Sequence, residues 1–222
     1  MRILFVVAVV MMLVRTGDLT AQACAGRTAG RGQLGLAGLW SGSSDAYGLD
    51  LHANLPGPVS AALGYTYSGV DRTLHAVNGR LEYELSNGRL SFCPSLGARY
   101  TNGAYVSRSV DPSTHPATAV EASWRTIAAP ATLDVGLRIP VPGGAVLIPS
   151  ASAGGMLWHF QGRNAYHMID GRVQDRGSQL AWVGSAGLTL GWSRLFLTGS
   201  ASETSLPLTK REWSLSAGWL FR

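Results

Sequence analysis

Apolar and polar side chains alternate from Glu212 to Phe221, near the end of the 222-residue chain. One parity carries Trp213, Leu215, Ala217, Trp219 and Phe221, and the other carries Glu212 followed by small residues. A period of two residues is that of a β-strand whose two faces differ. The segment therefore predicts a strand with one apolar and one polar face.

The same alternation returns along the rest of the chain, and clusters of Gly, Pro, Asn and Ser separate the segments. The predicted strands lie at about 30–40, 46–55, 58–67, a segment ending at Leu85, 90–100, 124–139, 145–160, 180–190, 195–202 and 212–221. Asn87-Gly88 supplies a tight hairpin turn between the fourth and the fifth strand. The pattern predicts an all-β fold of ten antiparallel, up-and-down strands.

Three features make the strand pattern irregular. Gly154-Gly155 lies inside the seventh strand and predicts a bulge that switches its parity, so its two faces are not assigned. Pro94 and Pro149 also lie inside predicted strands, where each lacks a backbone N–H and needs a bulge or a strand end. Eight strands are therefore the alternative to ten.

The first part of the chain has the pattern of a secretory signal. Residues 3–14, ILFVVAVVMMLV, are all apolar, follow Arg2 and precede Ala21-Gln22-Ala23. A run of this length is shorter than the ~20 residues of a membrane-spanning helix, and its order is that of a signal peptide. We predict cleavage after Ala23, which leaves residues 24–222 as one β-barrel domain. No later segment approaches the ~18 consecutive apolar residues of a spanning helix.

The alternating ending with its terminal aromatic resembles the last strand of bacterial outer-membrane β-barrel proteins. The resemblance implies that Trp213, Leu215, Trp219 and Phe221 are recognised by the barrel assembly machinery. It also implies a transmembrane β-barrel in the bacterial outer membrane.

The connections between strands agree with this resemblance, because such barrels have short periplasmic turns and longer extracellular loops. The connections at 55–58, 86–88, 140–144 and 191–194 are short, whereas the long connections at 101–123 and 161–177 fall between them at the other end. Aromatic residues cluster near strand ends, where membrane interfaces favour them. We assign Trp40, Tyr47, Tyr67, Tyr100, Trp124, Trp158 and Trp213 to the extracellular end, and Tyr83, Phe92, Trp192, Phe196, Trp219 and Phe221 to the periplasmic end.

The polar parity of the strands carries charges of both signs, which a barrel would turn inward. The predicted lumen group is Asp50, His52, Asn54, Arg80, Glu82, Glu84, Arg99, Asp134, Arg138 and Glu212. Opposite charges in a narrow interior are most simply paired with one another. We therefore predict a side-chain-filled polar lumen, with a water-filled pore or a catalytic site as alternatives.

The catalytic alternative depends on Asp50 and His52, which share a face and are two residues apart. No nucleophile follows from the pattern around them, and the acidic pairs of omptin proteases and the Ser/His arrangement of barrel acyl hydrolases are not recognisable. The histidines have no metal-ligand spacing. We expect no enzymatic activity, no metal and no cofactor.

The two cysteines are Cys24 and Cys93. An exported chain can oxidise them, and a disulfide between them would tie the mature N-terminus to the barrel mouth. Two unrelated thiols are the alternative, as is a lipidated Cys24 directly after the predicted cleavage site.

The chain has a formal net charge of +5. Several of its arginines lie near the predicted extracellular strand ends, including Arg108, Arg125, Arg163 and Arg176. Their expected partners are outer-membrane lipid and the phosphates of lipopolysaccharide, and nucleic acid is not expected in this compartment. The alternative is a solvated loop surface in which Asp111, Asp170 and Asp175 are interspersed among these arginines. No oligomeric state follows from the sequence.

Taken as a whole, the sequence predicts an integral outer-membrane barrel with a structural, adhesive or narrow-pore role. A barrel enzyme at the rim, acting as protease or lipid acyl hydrolase, and a soluble exported β-sandwich are the alternatives.

Overall fold

The computed structural model describes residues 32–41, 44–55, 58–69, 73–87, 89–109, 118–163, 165, 167–169, 172–192, 194–206 and 211–221. The predicted signal peptide, residues 1–23, and Cys24 lie outside these ranges. Every regular element within them is a β-strand. None of these residues belongs to a helix with the length and hydropathy needed to cross a bilayer.

The strands are β1 (Gly32–Ser41), β2 (Ser44–Asn54), β3 (Val59–Ser68), β4 (Thr73–Tyr83), β5 (Leu85–Asn87), β6 (Leu90–Ser109), β7 (Thr118–Leu137), β8 (Ile139–Val141), β9 (Ala145–Arg163), β10 (His167–Ile169), β11 (Arg172–Gln174), β12 (Arg176–Trp192), β13 (Leu195–Thr204) and β14 (Arg211–Phe221). Each predicted segment corresponds to one of the longer strands. The short strands β5 and β8 pair with β6 and β9, and β10 and β11 form a separate hairpin.

The longer strands close into a barrel. They pair antiparallel in chain order, and β14 pairs back with β1 from Gly32↔Phe221 to Ser41↔Glu212. The fold is therefore an all-β, antiparallel, up-and-down barrel of ten strands, as predicted, and the eight-stranded alternative is wrong. A closed ring also excludes the β-sandwich, which consists of two packed sheets.

The two ends of the barrel differ, and we name them by what they carry. At the turn end, the interruptions between strands are short, such as the turn from Pro142 to Gly144. At the ribbon end, β6 and β7 continue as a paired two-stranded ribbon as far as Ser109↔Thr118. The predicted long loop at 101–123 is thus mostly strand, because its residues keep the ladder of the barrel below them.

The predicted bulge at Gly154-Gly155 is wrong. The register between β7 and β9 is constant from Ser123↔Arg163 to Gly136↔Ser150. A side chain at Gly154 would collide with the carbonyl oxygen of Ala131 on β7. The glycine therefore permits a close approach of two backbones, and the parity of β9 does not switch.

Pro94 and Pro149 lie opposite interruptions in a neighbouring strand. β6 pairs with β4 up to Glu82↔Ser95 and with β5 from Leu85↔Phe92, which leaves Pro94 in the gap. Pro149 lies in the matching gap between Gly136↔Ser150 and Ile139↔Leu147. A missing N–H at these positions breaks no ladder bond toward the interrupted strand, which is why a closed barrel tolerates both prolines.

Candidate functional site

Inside the barrel, charged and hydroxyl side chains from β4, β6 and β7 meet near the turn end. Arg80 on β4 is at their centre. Its Nε lies 2.9 Å from Oε1 of Glu82, and its Nη2 donates to Ser95 Oγ at 2.9 Å and Thr132 Oγ1 at 3.2 Å. The same Nη2 also pairs with the carboxylate of Asp134 on β7. One guanidinium thus joins two acids from different strands.

The acids that Arg80 joins are almost completely buried. The side chains of Glu82 and Asp134 are 3% and 1% exposed, against 27% for Arg80. Ser60 Oγ on β3 donates to Glu82 Oε2 at 3.2 Å, and Thr132 Oγ1 donates to Asp134 Oδ2 at 3.3 Å. Buried carboxylates need such donors, because desolvation disfavours their charge.

A second polar group lies closer to the turns. Glu84 accepts a hydrogen bond of 2.7 Å from Ser91 Oγ, and both residues are buried. Arg138, at the interruption between β7 and β8, is half-buried and lies near the Glu84 carboxylate. We call the whole group, Ser60, Arg80, Glu82, Glu84, Ser91, Ser95, Thr132, Asp134 and Arg138, the polar floor.

The opposite wall at the turn end is closed by packing. Phe196 on β13 is buried and faces inward, across Gly218 and toward Gly35 on β1, where a side chain would contact its ring. Ile148 and Thr189 are fully buried on neighbouring strands, and Leu220 is also buried. The sequence prediction placed Phe196 in the outer aromatic belt, and the register shows that it faces the lumen.

Above the floor, the lumen is open. Asp50 and Arg99 point inward by strand parity, yet both are exposed. Small hydroxyl residues occupy the middle inward positions of β13 and β14, with Ser200 and Ser214 hydrogen-bonded at 2.6 Å. Among the described residues, Arg99 and Glu212 form no ion pair, so the structure does not bring them into the polar floor. This part of the lumen is a polar vestibule.

Near the ribbon end, one side of the lumen is apolar. Trp158 and Phe160 on β9 stack at a centroid distance of 5.7 Å and are 6% and 4% exposed. We call these two rings and the buried residues around them the aromatic cluster. The surrounding residues are Ala122, Ala128, Ala165, Ala181 and Leu206, and Trp124 and Met156 pack against the cluster. Trp124 and Trp158 were predicted for the outer belt, and the constant register of β9 with β7 instead turns them inward.

The outer face has the opposite character. Leu63, Leu96, Leu157 and Leu180, among many large apolar residues of the outward parity, are more than half exposed. Such a continuous apolar surface around a whole protein is incompatible with water and matches the lipid-facing band of a transmembrane barrel. The chain therefore has the fold and the outer surface of a membrane-spanning β-barrel.

Aromatic side chains lie at both edges of the lipid-facing band of this barrel. Tyr47, Tyr67 and Trp213 are exposed toward the ribbon end, and Trp192 and Trp219 toward the turn end. Tyr65 Oη lies 2.7 Å from Nδ1 of His75, where the band meets polar residues. Rings with one apolar body and one polar edge prefer this boundary.

No protein-family model and no curated protein matches the chain. Solved structures of outer-membrane barrels do. The N-terminal β-barrel domain of Pseudomonas aeruginosa OprF is 12% identical, with 86% of this chain and 97% of that chain covered and a TM-score of 0.40. The β domain of the Bordetella autotransporter BrkA is 17% identical, with 86% and 97% covered and a TM-score of 0.46. Ail, the attachment invasion locus protein of Yersinia pestis, is 15% identical, with 86% and 99% covered and a TM-score of 0.37.

Asp50 and His52, the residues of the catalytic alternative, lie on the inner face of β2 in different surroundings. Asp50 is exposed to the vestibule, opposite Gly64, whereas His52 is buried opposite Ala62. Within the described ranges, no group of three or more His, Cys, Asp or Glu has the geometry of a metal site. A catalytic role for this pair stays an alternative hypothesis.

Cys93 and the last strand carry the remaining predicted site residues. Cys93 is buried on the inner face of β6, opposite Asp134, and is disulfide-bonded. Its only possible partner within the chain is Cys24, which lies outside the described residues, so that pairing stays a prediction. Trp213, Leu215 and Trp219 are exposed to the lipid side of β14, and Phe221 ends the strand. Their recognition by the assembly machinery also stays a prediction.

Proposed function

We propose that this outer-membrane barrel does not conduct solutes and instead serves as a rigid surface anchor with a structural or adhesive role. The polar floor is the observation that carries the proposal. Side chains from β3, β4, β6 and β7 meet there with their acids buried, and Phe196, Ile148 and Thr189 fill the other wall. A solute crossing this level would have to break ion pairs between buried groups, which costs several kcal/mol.

The proposed adhesive surface is the ribbon of β6 and β7. From Asn102 to Ser109 the ladder continues beyond the lipid-facing Tyr100, a rise of about 20 Å at ~3.3 Å per residue before strand tilt. The ribbon end would face the cell exterior, because outer-membrane barrels extend their longer connections outward. The barrel would then hold the ribbon clear of the lipid surface.

Conductance in planar bilayers tests the first part of the proposal. The refolded protein should give no current steps, whereas the triple variant Arg80→Ser, Glu82→Ser and Asp134→Ser should conduct. Serine removes the bulk and all three charges together, so no buried charge is left without a partner.

The matched control opens the other end of the lumen. Trp158→Ala combined with Phe160→Ala removes the aromatic cluster and leaves the polar floor intact, so this variant should stay silent. Regular current steps from the unmodified protein would overturn the non-conducting proposal and favour the narrow pore.

A ribbon deletion tests the adhesive part. Val106 and Glu121 are partners across the ladder, so an Asn-Gly turn between them replaces residues 107–120 and keeps Ala122 of the aromatic cluster in place. Cells with the shortened protein should lose its contribution to surface attachment while heat-dependent gel mobility stays unchanged. Equal attachment by both proteins would contradict an adhesive ribbon.

A further inference from the structure

The outer face of the barrel carries a groove at the ribbon end, across β4, β6, β7 and β9. Its volume is about 610 Å³. The polar residues that line it are Thr73, His75, Asn102, Arg125, Gln161 and Arg163. Eight of the eleven lining residues, these six together with Ala104 and Ser123, have the same parity as the lipid-facing residues of their strands. Gly103, Trp124 and Gly162 have the inward parity and form the base of the groove, so it opens on the outer face and differs from the vestibule.

The register places the groove directly above the lipid-facing band. His75, Asn102, Arg125 and Gln161 are successive partners across four strands. Val77, Tyr100 and Ile127 form a second row of partners on the same face. This row lies two positions closer to the turn end, which is about 7 Å along each strand. These three are 53%, 45% and 55% exposed. A polar groove and an apolar surface therefore meet along one continuous line.

Two arginines give the groove its charge. Arg125 pairs across the ladder with Gln161, and Arg163 with Ser123, which makes the arginines diagonal neighbours on one face. Their Cβ atoms are then about 7 Å apart, within reach of one anion. Both are exposed, neither forms an ion pair among the described residues, and no carboxylate lines the groove.

We propose that this groove binds a phosphate-bearing lipid of the surrounding membrane leaflet. The guanidinium groups of Arg125 and Arg163 hold the phosphate, since planar N–H donors match phosphate oxygens in geometry and charge. Asn102 and Gln161 donate to the neighbouring headgroup oxygens. The acyl chains lie on Val77, Tyr100 and Ile127, and this apolar surface favours a lipid over a free anion.

The proposal goes beyond the anchoring role, because the site is on the lipid side of the wall and does not depend on whether the lumen conducts. It requires only the membrane embedding of the barrel and the position of the groove at the edge of the lipid-facing band.

The test is binding of purified bis-phosphorylated lipid A to the refolded full-length protein in neutral detergent, measured by native mass spectrometry. We expect the variant Arg125→Gln with Arg163→Gln to bind at least 10-fold more weakly than the unmodified protein. The matched control is Arg89→Gln with Arg194→Gln, which removes two exposed arginines at the turn end and should leave binding unchanged.

Two further arms separate the lipid from a free anion. Inorganic phosphate at a 100-fold excess should not displace lipid A, and lipid A without its phosphates should bind as weakly as the double variant. Equal binding by the double variant and the unmodified protein would overturn the site, and full displacement by inorganic phosphate would overturn its assignment to a lipid. Conductance of the same double variant should stay at zero, so this result and the test of the non-conducting floor are independent.

Discussion

The polar floor and the aromatic cluster lie in the same lumen but are held together by different forces. In the floor, Arg80 is shared by two acids that are nearly inaccessible to water, and each hydroxyl has a defined partner. In the cluster, Trp158 and Phe160 stack on each other and pack among alanines and Leu206. Removing Arg80 from the floor leaves two buried carboxylates without their shared cation, whereas removing a ring from the cluster leaves a cavity between apolar side chains. The two regions should therefore respond differently to single substitutions.

Substitution of Arg80 should have the largest effect. Arg80→Ala leaves two buried carboxylates without their shared cation and should lower the free energy of unfolding by about 4 kcal/mol. Urea unfolding of the refolded protein in lipid vesicles measures this. Arg99→Ala removes an exposed inward arginine without an ion pair in the described structure and should cost less than about 1 kcal/mol. Equal losses for the two variants would show that the floor has no special role.

Substitution in the aromatic cluster should cost somewhat less and act locally. Trp158→Ala removes a buried ring and should lower the free energy of unfolding by about 3 kcal/mol. Hydrogen exchange should become faster around residues 156–160 and remain slow around Arg80, because Trp158 is on β9 and Arg80 is on β4, with two strands between them. Leu157→Ala, the lipid-facing neighbour on β9, is the control and should leave that exchange pattern unchanged. Faster exchange throughout the barrel would mean that the two regions form one cooperative unit.

The smallest expected effect is the coupling between the two regions. Arg80 is on β4 and Trp158 on β9, with β6 and β7 between them in the ring. The double variant Arg80→Ala with Trp158→Ala should therefore lose the sum of the two single losses within about 0.5 kcal/mol. A coupling above about 1 kcal/mol in the same urea experiment would contradict independent regions.

The floor was visible in the sequence, and the cluster was not. The alternation around Arg80, Glu82 and Glu84 assigns their parity directly, since the residues between them are large and apolar. Which acid on β7 reaches Arg80 was not predictable, because Asp134 meets it across β6 and depends on two ladder registers. The prediction from sequence also placed Arg99 in the lumen charge network, although its side chain faces the open vestibule.

Trp158 and Phe160 escaped the prediction because apolar residues occupy both parities of β9. Leu157 faces lipid, while Met156 and Trp158 face the lumen, so periodicity alone does not separate the two faces. The signal that could have assigned the faces of β9 was the short turn before Ala145. This turn sets the register between β9 and β7, so the inward positions of β7 determine the inward positions of β9. Phe196 was likewise assigned to the outer aromatic belt because it lies near a strand end. Position alone does not decide this, since an aromatic ring fits both the edge of a membrane and the wall of a lumen.

The ladder between β1 and β14 closes the barrel by joining its first strand to its last. Gly32 and Phe221 are direct partners, although they are far apart in sequence. A chain that stops before Arg211 would leave β1 and β13 with unpaired backbone groups, which hydrocarbon does not tolerate. Closure of this seam therefore acts as an integrity check on the polypeptide itself: only a chain that contains β14 can form the closed ring, and a chain without β14 keeps two open strand edges.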